Sequence, residues 1–211
     1  MIDIANLHKC SREQRLAVHA ELCRRELAAR RDGSNDIVTK YRDDPLGFIT
    51  KGIKQCVGDS WRMWRIVLKA AYGIPLDDDE LPIFREVAKR DPPSGRVKEL
   101  WLIIGARGGK DSVASMIATQ AACYADEGLA LRPGEHALVA CFANTLDQAT
   151  IVYNYTRAYF QTIPSLRRRV ISSLEGNRPR PIILNNNTEI RTVTNSFRAP
   201  RGWPYAVAIF D

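Results

Sequence analysis

The apolar positions of this 211-residue chain follow two different spacings, which alternate along its second half. Apolar runs at residues 100–104, 136–142 (after its first residue, His136) and 206–210 are typical of strands buried on both faces. Residues 112–125 and 145–160 carry apolar side chains three or four positions apart, which predicts amphipathic helices. The alternation therefore predicts an α/β fold, with a mainly parallel sheet covered by helices on both faces.

The first half of the chain shows the helical spacing only. Residues 11–31 predict a helix with a thin apolar stripe, and residues 61–72 predict another that ends at Gly73. We therefore predict two parts: an N-terminal helical and irregular segment over residues 1–58, and an α/β core over residues 59–211.

Local signals add detail to this outline. Ser60 has the residue type of an N-cap for the helix over 61–72, and Thr145 with Gln148 three positions later forms a capping-box signature. Residues 81–90 predict a short helix. Three consecutive asparagines lie in the middle of residues 181–194, so this segment predicts a β-hairpin with a tight turn.

Composition excludes few classes of protein. The apolar fraction of 45% and the charged fraction of 26% are ordinary for a globular protein. No window reaches the roughly 18 apolar residues of a membrane-spanning helix, and the N-terminus lacks a secretory signal pattern. We therefore expect no membrane partner, while the formal net charge of +7 fits a polyanionic one. The cysteines, odd in number and without close pairs, predict free thiols in a reducing cytosol: Cys10, Cys23, Cys56, Cys123 and Cys141.

The most informative segment is 99–112, ELWLIIGARGGKDS, where an apolar run breaks into glycines and a lysine before a helical pattern. A strand, a glycine-rich turn and a helix N-terminus together hold nucleotide phosphates, because backbone N–H groups converge on the anion. The alternative is an ordinary glycine-rich turn with an exposed lysine. The predicted nucleotide-binding residues are Gly105, Ala106, Arg107, Gly108, Gly109, Lys110, Asp111 and Ser112.

This loop departs from the usual phosphate-loop spacing, known as Walker A. Only three residues separate Gly105 from Gly109, and Asp111 stands where the usual pattern has a serine or threonine. Ser112 comes one position late. A carboxylate beside phosphates is unfavourable unless it faces Mg²⁺ or its water shell, so either Asp111 or Ser112 is a candidate metal ligand.

The last residue, Asp211, follows the apolar run of residues 206–210. An acid at the carboxyl end of a buried strand is where a nucleotide-binding α/β protein holds magnesium, at the position known as Walker B. Many strands end in an acidic residue that binds no metal. Because the glycine loop lies about a hundred residues upstream, we interpret Asp211 as a metal ligand and expect the chain to be cut off within its site.

With these landmarks in order, the chain resembles the ATPase portion of a phage terminase large subunit over residues 45–211. Terminases have irregular phosphate loops with an arginine ahead of the lysine, as Arg107 stands here. The resemblance implies a P-loop NTPase fold of the additional-strand (ASCE) type. The segments that carry it are WRMWRIVLKAAYGIPL, ELWLIIGARGGKDS, PGEHALVACFANTLDQATIVYNY, NTEIRTVTNSFRAPRG and YAVAIFD.

The resemblance also implies residue roles. Lys110 would bind the β- and γ-phosphates of ATP, Arg107 would stabilise charge on the transferred phosphate, and Asp211 would bind Mg²⁺. The family places a catalytic glutamate directly after that aspartate and a nuclease domain further on, and this sequence contains neither. We therefore expect this chain alone to hydrolyse ATP weakly or not at all and not to cut DNA.

The partners implied by the resemblance are double-stranded DNA, a portal protein, a small terminase subunit and further copies in a ring, in the host cytoplasm. Two alternatives stay open. A helicase-like nucleic-acid ATPase would share the strand-and-acid arrangement but not portal binding. A truncated, non-catalytic nucleotide- or DNA-binding fragment would bind without turnover.

Further basic and aromatic residues are weaker candidates. Arg198 and Arg201 could contact phosphate, DNA or a neighbouring subunit, and a solvated loop is an equal alternative. Trp61 and Trp64 could pack against adenine, although helical spacing favours a core position. Arginines that could contact DNA phosphates, or simply form a solvated basic face, are Arg167, Arg168, Arg169, Arg178 and Arg180.

Overall fold

A four-stranded mixed sheet organises the chain in the computed structural model. In the order β2-β3-β1-β4, β1 pairs in parallel with both β3 and β4, and β2 pairs antiparallel with β3. With its flanking helices this confirms an α/β fold with a mainly parallel sheet. The strands are β1 (Ala137–Ala143), β2 (Ile182–Ile183), β3 (Thr188–Thr194) and β4 (Tyr205–Phe210). The structure describes residues 36–143, 145–172, 180–194 and 202–210.

Eight α-helices are formed by the described residues, together with one π-helical segment, Phe48–Gly52, and one 3-10 turn, Asp59–Trp61. No helix among the described residues is long and apolar enough to cross a membrane. The α-helices are α1 (Ile37–Lys40), α2 (Pro45–Gly47), α3 (Arg62–Tyr72), α4 (Glu80–Ala88), α5 (Lys110–Cys123), α6 (Ala125–Gly128), α7 (Leu146–Thr162) and α8 (Pro164–Arg167).

The helix predicted over residues 61–72 is confirmed as α3, and its end is the predicted glycine. Gly73 adopts φ +72°, a left-handed conformation that glycine tolerates without a steric penalty. The prediction of Ser60 as the N-cap was wrong. Ser60 lies inside the preceding 3-10 turn, which carries the chain into α3 without a side-chain cap.

Helices α5 and α7 pack together on one face of the sheet. Their side chains share a core with Val139 of β1 and Ile190 of β3, which pair with each other across the sheet. Met116 of α5 and Phe160 of α7 are fully buried there. Burial of such large apolar side chains contributes roughly 1.5–3 kcal/mol each, so this contact fixes α5 against the sheet.

Residues 37–53 contribute to the same core. Phe48 and Ile49 are fully buried, and the ring of Phe48 meets that of Tyr124 edge-on at 5.9 Å between centroids. The Tyr124 hydroxyl also donates a hydrogen bond of 2.8 Å to the Val38 carbonyl. The domain boundary at residue 58 stays a prediction, and the helix predicted over residues 11–31 lies outside the described residues.

The opposite face of the sheet carries a separate apolar cluster. Leu138, Ala140 and Phe142 alternate with the core-facing residues of β1 and are buried on this second face. Phe142 stacks on Phe210 of β4, with ring centroids 4.7 Å apart and planes inclined by 10°. Tyr205 packs against the same cluster.

The strand predicted over residues 100–104 was wrong. These residues form no strand, and Trp101 and Ile103 are 89% and 105% exposed. Only Ile104 packs against the main core. An apolar run becomes a strand only where a neighbour pairs with its backbone, and no strand of the described sheet pairs with this segment.

The local signals of the second half are confirmed. The Thr145 side chain caps α7 by accepting a hydrogen bond of 3.3 Å from the Gln148 backbone N–H. Strands β2 and β3 form the predicted hairpin, and Asn187 in its turn takes φ +56°, a left-handed conformation in which asparagine is enriched.

Candidate nucleotide-binding site

The glycine loop forms a tight turn directly before α5. The Gly108 N–H donates a hydrogen bond of 3.1 Å to the Gly105 carbonyl, which closes the turn. Arg107 and Gly109 adopt φ +63° and +81°, both left-handed, with Gly108 between them outside that region. Alternation of this kind turns successive backbone N–H groups toward one side, which is the geometry of an anion-binding concavity.

Helix α5 begins at Lys110, two residues earlier than predicted. Its first i to i−4 hydrogen bond runs from the Val113 N–H to the Gly109 carbonyl, at 3.0 Å. The N–H groups of residues 111 and 112 therefore have no i−4 acceptor within the helix, and no side chain caps this end. These donors and the positive end of the helix dipole favour an anion at the loop.

Helix α3 holds the loop in place through its tryptophans. The Trp64 indole Nε1–H donates a hydrogen bond of 2.8 Å to the Gly108 carbonyl. Trp61 lies beside the loop as well, because a Cβ atom built on Gly109 would stand 3.3 Å from its Cη2. Trp64 is 9% exposed and belongs to the core, as its helical spacing favoured.

No signal in the sequence indicates the contact between Trp64 and the loop. The two residues joined by this hydrogen bond are 44 positions apart. No local pattern reports which carbonyl an indole N–H reaches across such a separation. The spacing of the aromatic residues in α3 indicated only that a tryptophan would be buried.

Two charged side chains of the loop, a lysine and an aspartate in adjacent positions, form an ion pair. The Lys110 Nζ lies 3.2 Å from the Asp111 Oδ1, and the two side chains are 43% and 33% exposed. An ion pair exposed to this degree contributes little to stability, about 0–1 kcal/mol. A phosphate group, with its greater charge, can therefore replace Asp111 as the partner of Lys110.

Ser112 is half-buried in the first turn of α5, and the helix beyond it is nearly enclosed. The buried hydroxyls of Ser115 and Thr119 are satisfied by backbone carbonyls one turn earlier, those of Ser112 and Ser115, at 2.6 and 2.7 Å. A helix buried on this scale holds its N-terminus in a fixed position. The loop is thereby attached to a rigid element.

The structure brings together residues 105–112, the eight predicted loop residues. It does not describe Asp211, Arg198 or Arg201, so their predicted roles stay predictions. Within the described ranges, no group of three or more histidine, cysteine, aspartate or glutamate side chains is placed to hold a metal ion.

The basic candidates near α8 are described in part. Arg167, Arg168 and Arg180 are exposed and Arg169 is half-buried, whereas Arg178 lies outside the described residues. The described cysteines, Cys56, Cys123 and Cys141, are free and buried, as predicted.

Burial raises the pKa of the Cys141 thiol to about 12. At neutral pH this thiol is therefore protonated, and a protonated thiol is neither a nucleophile nor a metal ligand. Burial likewise raises the pKa of the Cys56 thiol. The positive charge of Arg65 lowers this pKa, but its effect is smaller than that of burial. Neither cysteine is therefore a candidate catalytic group.

No protein-family model, curated protein or solved structure matches the chain.

Proposed function

We propose that this chain is the ATPase portion of a viral DNA-packaging motor, a terminase large subunit with a P-loop NTPase fold of the ASCE type. The observation that carries the proposal is the loop geometry. Two left-handed residues turn the backbone into the open first turn of a buried helix, and Lys110 begins that helix. This combination of N–H donors, helix dipole and lysine suits a nucleoside triphosphate.

In this proposal each loop residue has a distinct task. The N–H groups of the first turn of α5 donate to the phosphate oxygens, and the Lys110 ammonium exchanges Asp111 for the β- and γ-phosphates. Arg107, exposed at the top of the turn, faces the phosphate being transferred. Trp64 keeps the turn in shape by its hydrogen bond to Gly108.

Magnesium would neutralise the negative charge that develops on the phosphates. Ser112 in the first turn and Asp211 at the end of the sequence are the residues that would hold it. Their donors are oxygens, which this cation prefers. Asp111 is the alternative ligand, since its carboxylate stands in the same turn.

The proposal is tested by binding of MgATP, measured by isothermal titration calorimetry with the full chain. We expect the Lys110→Ala variant to bind at least tenfold more weakly, because the lysine contacts the most highly charged part of the ligand. Lys98→Ala is the matched control, since Lys98 is an exposed lysine on the segment that precedes the loop. Equal affinity of the two variants, or no binding by the unmodified chain, would refute the nucleotide site.

A non-catalytic nucleotide-binding module is the second candidate. The observation that favours it is the pairing of Lys110 with Asp111, a carboxylate in the position where the usual pattern has a hydroxyl. Such a module binds MgATP without turnover. At most weak phosphate release is expected of this chain. Release that depends on both Lys110 and double-stranded DNA would favour the motor, because the module releases none.

A further inference from the structure

A second cleft lies on the sheet face opposite α5 and α7. By strand register, Glu189 and Arg191 of β3 share this face with Leu138 of β1 and Tyr205 of β4. The cleft has a volume of about 310 Å³. Among the described residues it is lined by Leu138, Arg191, Thr192, Val193, Thr194, Trp203 and Tyr205, and we call it the arginine–tryptophan cleft.

Arg191 and Trp203 form its charged and aromatic part. The guanidinium carbon of Arg191 lies 4.4 Å from the centroid of the Trp203 ring. The Nε and Nη2 atoms of Arg191 contact the Glu189 Oε1 at 2.7 and 2.6 Å, which holds the guanidinium in this position. Trp203 is nevertheless 43% exposed, so part of its ring remains accessible to a ligand.

A second arginine lines a neighbouring, separate cavity. This cavity of about 110 Å³ shares Arg191 and Thr192 with the cleft and is lined further by Arg180 and by Tyr153 of α7. Arg180 is exposed, and its backbone carbonyl accepts a hydrogen bond from the Tyr153 hydroxyl. Among the described lining residues, Arg180 therefore adds a positive charge beside Arg191, which is paired with Glu189.

The Tyr205 hydroxyl provides a polar group at the other end of the cleft. This hydroxyl oxygen is buried and has no hydrogen-bond partner in the structure. An unsatisfied buried hydroxyl is unfavourable, and a ligand that forms a hydrogen bond with it removes this cost. Burial also raises the pKa of Tyr205, so at neutral pH the hydroxyl is a donor as well as an acceptor.

We propose that the arginine–tryptophan cleft binds single-stranded nucleic acid. An unpaired base stacks on the exposed part of Trp203, its edge bonds to the Tyr205 hydroxyl, and the adjacent phosphates lie against Arg180 and Arg191. Duplex DNA fits less well, because its base faces are already stacked and cannot reach an aromatic ring. The formal net charge of +7 favours a polyanion on electrostatic grounds.

This site is independent of the proposed nucleotide site. None of the cleft residues belongs to the loop over residues 105–112. Binding is therefore measured without nucleotide and in the presence of a chelator. Failure of ATP binding would leave this result unchanged, so the two proposals fail separately.

The test is fluorescence anisotropy of labelled oligonucleotides of about 12 bases, a length within the usual site size. Oligo-dT, oligo-rU and a duplex of the same length are compared on the full chain. Trp203→Ala is expected to weaken single-strand binding by 5- to 150-fold, the range for loss of one stacked base, and Trp203→Phe is expected to retain most of it. Trp101→Ala, which removes an 89% exposed tryptophan outside the cleft, is the matched control.

Arg180→Ala supplies a test that does not disturb the apolar cluster. We expect weaker binding and a fall of about 0.7 in the slope of log affinity against log salt, the value for one lost single-strand phosphate contact. The proposal is overturned if Trp203→Ala weakens duplex binding as much as single-strand binding, or if Trp101→Ala and Trp203→Ala lose affinity equally. It is also overturned if the unmodified chain shows no single-strand binding at protein concentrations up to about 100 µM, the weak end of sequence-independent binding.

Discussion

The hydrogen bond from Trp64 to the loop allows a quantitative test of how α3 supports the nucleotide site. Trp64→Phe keeps an aromatic ring in the core but removes the Nε1–H that donates to the Gly108 carbonyl at 2.8 Å. A hydrogen bond of this kind contributes about 0.5–1.5 kcal/mol net. Gly108 is exposed, so water can reach its carbonyl and the cost stays within that range.

The smaller ring adds a packing cost, because Trp64 is buried among core residues. Complete truncation of a buried tryptophan costs about 3–5 kcal/mol, and phenylalanine retains most of that volume. We therefore expect a total loss of about 1–2 kcal/mol in the free energy of unfolding. Affinity for MgATP should fall at least fivefold as well, since the turn is no longer held in the shape that presents its N–H groups.

Urea unfolding followed by far-ultraviolet circular dichroism measures the stability change, and it does not depend on tryptophan fluorescence. Trp61→Phe is the matched control: Trp61 is only half-buried and meets Gly109 through ring carbons. We expect it to lose less than half as much stability. The reasoning is refuted if the two variants have the same urea midpoint, or if Trp64→Phe binds MgATP as tightly as the unmodified chain.

Two further predictions concern a glycine of the loop and an ion pair at the end of α3. Gly109→Ala should lower the free energy of unfolding by about 1–2 kcal/mol and weaken MgATP binding. The reason is that φ at this residue is +81° and that the new Cβ would stand 3.3 Å from Trp61. An unchanged urea midpoint would contradict this prediction. A hydrogen bond of 2.8 Å from Lys69 lowers the pKa of the Asp77 carboxyl in the folded state. The ion pair therefore stabilises the fold at pH values above the unfolded-state pKa of about 3.9. This stabilisation is lost as the pH falls through the lower folded-state pKa. Asp77→Asn should therefore lower the melting temperature at pH 7 but not at pH 2, whereas Asp78→Asn, an exposed control, should have little effect at either pH; a deficit independent of pH would contradict the assignment.

The spacing of apolar residues correctly predicted the elements whose apolar pattern matches the environment in which they lie. The runs at residues 136–142 and 206–210 became β1 and β4 because parallel neighbours cover both edges of β1. The run at residues 100–104 is also apolar but forms no strand. Periodicity reports that a segment is apolar, whereas strand formation depends on which segment lies beside it, and that information is not local.

The candidate site shows the same division. The glycines and the lysine were visible as a motif, because a turn with left-handed residues before a helix has a compositional signature. The left-handed conformation of Arg107 was not visible, since only glycine and asparagine commonly signal it. The bond from Trp64 to the loop was not visible either, because it depends on the tertiary packing of α3.

The position of β4 has a consequence for how this protein folds. In the part of the chain that the structure describes, β4 is the outermost strand on its side of the sheet, and its sequence YAVAIF contains no charge and no proline. Natural edge strands usually carry charged residues or proline, which prevent a second chain from pairing with the free backbone groups. Refolding from denaturant at high protein concentration therefore favours chains joined through this edge, and soluble yield should fall as the protein concentration rises.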